Sequence, residues 1–302
     1  MAKIIIDKSK LINNSNSAFE SVNWPEPANQ FINNKVVALQ TTRLAPSIPP
    51  KNFIAKTNQP PKIIAHHRSY DHFNLGLHVG DDEANVNINR QLLSQTLGHK
   101  ICGNKLVNPK LPTTELSDLT NIQWLNQVHG NQVVTVSRVN SNPITADASI
   151  TREKKLALAI MTADCLPILL SHRNGDEVAA IHGGWRSLEA GIIKATLVNM
   201  FSKSTDVIAW LGPCIGKQAF QVGAEVRDAF IGQDINLVNG FIRQQNGKFL
   251  ADLHFIASYQ LRLLGVQSIA TLPECTFSNE NKYYSYRRNA TTGRMASVIS
   301  IC

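Results

Sequence analysis

The chain has 302 residues, 43% hydrophobic and 17% charged, with a formal net charge of +8 at pH 7. That length buries a substantial core in one large domain or two small ones, and the apolar fraction is ordinary for a globular protein. No apolar run approaches the roughly 20 residues that span a bilayer, and Met1–Ile6 is too short for a signal-peptide core, so a cytoplasmic protein with no membrane partner is expected. The lysines and arginines are scattered, without a block of about five or six like charges. This argues against a nucleic-acid partner, while a small anion such as phosphate suits a dispersed positive field. Cys102, Cys165, Cys214, Cys275 and Cys302 are odd in number, widely spaced and free of any C-x-x-C, so a disulfide framework is not expected.

Residues 1–30 are polar, rich in Asn and Ser, and read as a loose arm, which places an N-terminal arm at 1–35. Val36–Leu39 reads as a strand leading into Thr41-Thr42-Arg43. Residues 44–69 hold five of the thirteen prolines and read as a long loop or insertion, with His66 and His67 at its end. Residues 83–97 carry Val86, Arg90, Leu93 and Leu97 at helical spacing, with Gly98 as a stop. The runs Trp124–Val128 and Gln132–Ser137 flank Gly130-Asn131 in the manner of a hairpin. Leu156–Met161, Leu166–Leu170 and Val178–Ile181 are apolar throughout, the pattern of strands buried on both faces, with a turn at Asn174-Gly175. A helix is expected over 190–203, a strand over Val207–Leu211, a helix capped by Asp252 and ended by Gly265, and a last strand over Ala296–Ile301. This mixture has no regular βαβ alternation and no repeats. It predicts an α+β fold, a single domain with mixed β-sheets covered by helices over 36–302.

Three apolar segments each run into a reactive residue beside small or turn-forming neighbours: His129 before Gly130, Cys165 within Asp164-Cys165-Leu166-Pro167, and His182 before Gly183-Gly184. The separations of 36 and 17 residues suit neighbouring strands whose ends meet at one cleft. Two imidazoles and a thiolate form a borderline-soft donor set suited to zinc and also to copper, and three protein ligands leave one position open, as in catalytic sites. Each residue also has an ordinary reading taken singly, as a buried small hydrophobe for Cys165 and a turn residue for His129. Cys214 in Gly212-Pro213-Cys214 lacks the second cysteine of a deaminase motif and reads as structural, as does Cys275; Trp185 reads as packing.

The segments Asn126-Gln127-Val128-His129-Gly130, Thr162-Ala163-Asp164-Cys165-Leu166-Pro167-Ile168, Ala180-Ile181-His182-Gly183-Gly184-Trp185-Arg186, Gly212-Pro213-Cys214-Ile215-Gly216 and Tyr284-Ser285-Tyr286-Arg287-Arg288 resemble, in order, the YfiH-like family. That family has also been called polyphenol oxidase laccase, multicopper-oxidase-like and peptidoglycan editing factor. The resemblance runs from about Val36 to the C-terminus. It implies a YfiH/CNF1-like fold and a metal held at His129, Cys165 and His182, zinc with copper as the alternative. It also implies purine nucleoside phosphorylase activity on adenosine, inosine and methylthioadenosine, with adenosine deaminase activity, in a monomer or homodimer. Thr41-Thr42-Arg43 and Phe73-Asn74-Leu75-Gly76 resemble further family stretches, but the Pro-rich 44–69 replaces a short Gly-rich loop. Arg43 and Arg288 are the candidate phosphate ligands, since guanidinium forks match phosphate oxygens. Asn74 is a candidate ribose or base contact, and Asp164 a candidate general base or orienting group. A Cys-His hydrolase acting on peptidoglycan precursors, with Cys165 as nucleophile, uses the same residues and stays open. A copper polyphenol oxidase does not fit nine histidines without a His-x-His pair.

Overall fold

The structure, a computed structural model, describes residues 17–46, 69–101 and 120–302. His66, His67, Cys102, residues 1–16 of the expected arm and most of the Pro-rich stretch lie outside them. Two sheets are stacked face to face. The first has five strands, in the order Phe19–Ser21, Val36–Thr41, Met295–Ile301, Leu156–Thr162 and Asn121–Gln123. The second has six, in the order Ser268–Thr271, Val207–Leu211, Leu166–His172, Val178–Gly183, Ala148–Thr151 and Val133–Thr135. Both sheets mix parallel and antiparallel pairs.

The apolar runs have a direct explanation in this stacking. Successive side chains of a strand point to opposite faces, and here both faces are covered. Leu158 and Ile160 join Ile299, Leu169, Val178, Ala180 and Trp210 in a core between the sheets. Ala157 and Ala159 turn the other way, onto Leu93 and Leu97 of the helix Glu83–Ile101. Ile168, Leu170, Ala179 and Ile181 turn the other way from the second sheet. They meet Ile192, Ile193 and Leu197 of the helix Ile192–Asn199, and Ile256, Ala257 and Leu261 of the helix Leu253–Leu263. The result is four layers, helix, sheet, sheet and helices. Each fully buried Leu or Ile contributes roughly 1.5–3 kcal/mol by leaving water.

Four expectations need correction. Residues 17–30 are not a loose arm: Phe19–Ser21 pairs with Val36–Thr41, and Val22 and Trp24 are buried between the sheets, as is Ile32 of the short helix Ala28–Ile32. A few large apolar side chains outweigh the polar composition around them. The helix from Glu83 passes through Gly98 and continues to Ile101. A helical glycine costs about 1 kcal/mol against alanine, less than the burial of Leu93 and Leu97 returns. The predicted helix over 190–203 is shorter, Ile192–Asn199, starting after Gly191 with φ 81°, and a separate helix Trp185–Glu189 precedes it. The predicted hairpin at Gly130-Asn131 is absent. Leu125–Asn126 pairs in parallel with Ile144–Thr145, while Val133–Thr135 pairs in parallel with Ala148–Thr151, so the two arms part at the loop. By contrast, Asn174-Gly175 does join antiparallel neighbours, and Asp252 does cap its helix by accepting from the Phe255 N–H at 3.0 Å.

Among the described residues, no helix is long and apolar enough to cross a membrane.

Candidate metal centre and active-site cleft

The chain leaves the first sheet at Thr162 and enters the second at Leu166, so Cys165 sits on the corner between them. The backbone needs a left-handed residue to make this corner, and Asp164 supplies it with φ 101°. His182 is the last residue but one of the strand that lies beside Leu166–His172, in register with Pro167, and so stands next to the corner. His129 arrives from the loop after Leu125–Asn126, also left-handed, with φ 61°. The three ligand atoms lie within 4.8 Å of one another. Cys165 Sγ is 3.7 Å from His129 Nε2, and the two imidazoles meet edge to face at 4.6 Å between centroids.

One buried carboxylate fixes two of the three. Asp147 Oδ1 lies 2.8 Å from His182 Nδ1 and accepts the His129 N–H at 2.9 Å. Oδ2 accepts the N–H of Gly130 at 2.7 Å and of Val128 at 3.2 Å. This capture of three successive backbone donors is why the loop turns at His129 instead of closing a hairpin. The bond to Asp147 also leaves Nε2 as the free ring nitrogen of His182. Burial opposes the Asp147 charge, but the His182 contact and the Gly130 N–H outweigh it and hold the carboxyl below its usual range.

These residues fit a metal ion. Zinc bonds of about 2.1 Å to nitrogen and 2.3 Å to sulfur at a tetrahedral angle set the two ligand atoms about 3.6 Å apart, close to the Cys165–His129 spacing. Gly184 keeps the space open: a Cβ there would lie 3.0 Å from His129 Cδ2, 3.2 Å from Cys165 Sγ and 3.5 Å from His182 Cε1. The electrostatics favour the ligating form of the thiol. Burial pushes Cys165 up, but His182 and His129 together bring it down to about 6. Burial likewise opposes charge on His182, while the Cys165 thiolate and Asp147 raise it to about 9. The two shifts describe one thiolate–imidazolium pair, and a bound cation would take the place of the shared proton.

The cluster forms the floor of a cleft of about 430 Å³. Gln127, Met161, Phe220, Tyr286, Arg287 and Arg294 are among its walls. Asp164 also lines it, yet its carboxylate is already engaged. Oδ1 accepts from Thr276 Oγ1 at 2.6 Å, and Oδ2 accepts from Ser285 Oγ at 3.0 Å and from the Arg287 N–H at 2.7 Å. That is an orienting role, bracing the segment that carries Tyr286 and Arg287.

The other three candidates do not line the cleft. Arg43 donates to the Glu280 carbonyl at 2.8 Å and lies 5.1 Å over the Tyr284 ring. Arg288 spends its guanidinium on the carbonyls of Thr276, Phe277 and Tyr283. Asn74 is fully buried, donates to Asp81 and Gly76, and accepts the Arg294 N–H at 2.8 Å. Sequence reasoning also missed Asp147, His78 and Arg294. His78 and Arg294 stand in Leu77-His78-Val79-Gly80 and Thr292-Gly293-Arg294-Met295, with a glycine two residues after the first and one immediately before the second. Cys214 is fully buried 3.6 Å from His254 Nδ1, and burial pushes its thiol well up. Trp185 packs against the core of the second sheet, with Arg186 over its ring.

A layered α+β chain with a His-Cys-His cluster at the sheet corner is thus the class defined by fold and site. The model of the family described as multi-copper polyphenol oxidoreductase laccase matches residues 65–302, and the chain belongs to that family. It is 37% identical over 277 residues to a protein of Escherichia coli K12 named purine nucleoside phosphorylase YfiH, covering 91% of this chain and 96% of that one. It is 39% identical over 231 residues to a Pseudomonas aeruginosa protein named purine nucleoside phosphorylase, covering 76% and 86%. The crystal structure of Neisseria meningitidis protein NMB0706 superposes with a TM-score of 0.75 at 34% identity, over 94% of this chain and 99% of that one.

Proposed function

We propose that this chain is a metal-dependent purine nucleoside phosphorylase acting on adenosine, inosine and methylthioadenosine, with adenosine deamination as a side activity of the same cleft. The observation that carries the reading is the convergence of His129, Cys165 and His182 within 4.8 Å at the floor of an open cleft. The names of the curated relatives supply the substrate class. His129, Cys165 and His182 would hold the ion, zinc with copper as the alternative. When bound, such an ion supplies a Lewis acid and lowers the pKa of water towards about 7. Asp147 fixes the His129 backbone and holds the His182 imidazole in one orientation and tautomer. Tyr286 and Phe220 offer aromatic surface for a purine, and Asp164 braces the segment that presents Tyr286. A second reading has one specific observation behind it. A Cys165 thiol brought down to about 6 beside a histidine is also a nucleophile, as in a Cys-His hydrolase.

One experiment separates the two. Protein of known metal content is incubated with adenosine, with and without phosphate and chelator, and products are identified. Adenine and ribose 1-phosphate formed only with phosphate and lost with chelator support the phosphorylase; inosine reports deamination. Full activity of chelated enzyme would sink the metal reading and leave the hydrolase.

A further inference from the structure

We propose that Arg294 and His78 form the anion subsite of the cleft and take the inorganic phosphate, the place expected of Arg43 and Arg288. The proposal rests on the phosphorylase reading. In phosphorolysis a phosphate oxygen forms a bond to the ribose C1′ while the C–N bond to the base breaks. The bonding pair leaves on the base, which takes up a proton, and ribose 1-phosphate remains. A dianion must be held close to the sugar.

Arg294 lies in a seat made for it. Its N–H donates to the buried Asn74 Oδ1 at 2.8 Å, and its carbonyl accepts the Leu75 N–H at 3.1 Å. Its stem crosses Gly76 so closely that a Cβ there would lie 2.8 Å from Arg294 Cγ. The Asn74-Leu75-Gly76 stretch therefore acts through Arg294. Nη1 is tied to the carbonyls of Thr292 and Gly293 at 2.9 and 3.1 Å, while Nε and Nη2 have no protein acceptor among the described residues. Those two atoms form the edge that matches two oxygens of a phosphate.

No carboxylate is ion-paired to this wall: among the described residues, none of Arg294, Arg90 and His78 forms an ion pair. The nearby Asp164 carboxylate is filled by its own three donors. His78 lines the same cleft, and burial followed by the positive fields of Arg294 and Arg90 holds its imidazole below the ordinary value. A partly buried guanidinium without an acid partner, as Arg294 is among the described residues, is held at a cost that a bound anion removes. Burial holds the Arg294 guanidinium below its ordinary value, against the fields of Cys165 and Asp164, and Arg294 lines the same cleft as His129, Cys165 and His182. Phosphate on this edge would stand next to the cluster.

The test uses Arg294→Gln, Arg294→Lys and Gly76→Ala, with Arg43→Gln as control. Phosphate KM and nucleoside KM are measured separately, with calorimetric titration of inorganic phosphate, metal content and melting temperature. We expect Arg294→Gln to raise phosphate KM and Kd on the order of tenfold or more, the loss of a charge-assisted fork, with nucleoside KM and metal content near wild type. Arg294→Lys should recover part, Gly76→Ala should weaken phosphate by displacing the stem, and Arg43→Gln should change neither constant. If Arg294→Gln does not fold, Gly76→Ala and His78→Asn decide. Unchanged phosphate affinity in folded, metal-loaded Arg294→Gln overturns the subsite and leaves the phosphorylase reading intact. So does a shift of Cys165 reactivity alone, since Arg294 would then serve the thiolate. Wild-type base release that ignores phosphate removes the phosphorylase reading. Calorimetric phosphate binding that Arg294→Gln abolishes would support the subsite even then.

Discussion

Replacing Asp147 by Asn tests whether one carboxylate organises the metal centre. The wild-type oxygens serve four donors: Oδ1 those of His182 and His129, Oδ2 those of Val128 and Gly130. An amide keeps one oxygen and sets an NH2 against the other pair. If the oxygen stays with the histidines, the N–H groups of Val128 and Gly130 lose their acceptor, and each bond to a charged group is worth about 1.5–3 kcal/mol. Val128 is exposed and Gly130 partly so, and water recovers some of this, leaving a stability loss of about 2–4 kcal/mol. The loss on the metal is separate. Orienting partners of ligating histidines are worth about 10–100-fold in affinity. Zinc affinity is read by competition with a chromophoric chelator, and stability by denaturation of metal-free protein. Because the folded Asp147 pKa is depressed, its stabilisation is fully present above the unfolded value of about 3.9 and is lost as pH falls through the folded one. The wild type should therefore lose, on acidification below about pH 4, an increment that the Asn variant lacks. A variant that binds zinc within about twofold of wild type would refute the reasoning, since Asp147 would then support only the loop.

Cys165→Ala should remove most bound metal and activity, because the thiolate is the only anionic ligand, whereas Cys214→Ala should leave metal content near wild type; equal losses would undo the assignment. In metal-free protein, alkylation of Cys165 by iodoacetamide should be half-maximal near pH 6, and zinc should protect the thiol. A midpoint near the ordinary thiol value of about 8.5 would show that the histidines do not hold the thiolate.

Much of the fold could be read from local pattern. The three apolar runs at 156, 166 and 178 are strands with both faces covered, because burial on two sides erases the alternation that a half-exposed strand shows. Asp252 as a cap and Asn174-Gly175 as a turn are short-range signals that tertiary contacts had no reason to override. The errors fall where a distant partner prevailed. Gly130-Asn131 has hairpin chemistry, but a carboxylate 17 residues away takes the Gly130 N–H. Phe19–Ser21 has little strand character of its own, but the neighbouring edge Val36–Thr41 offers it a ladder.

Chemical identity was local and geometry was not. His129, Cys165 and His182 stood out because reactive side chains at strand ends beside small or turn-forming residues are visible in the chain itself, and donor type alone limits the ions they can hold. Which arginine faces the cleft depended on where three carbonyls happened to lie: those of Thr276, Phe277 and Tyr283 claim Arg288, while Arg294 is bent over Gly76 with one edge unclaimed. A guanidinium is the same fork everywhere in a sequence. Only the folded chain decides whether backbone acceptors fill it or a cleft leaves it open to an anion, because those acceptors come from residues that meet only after the sheets have stacked.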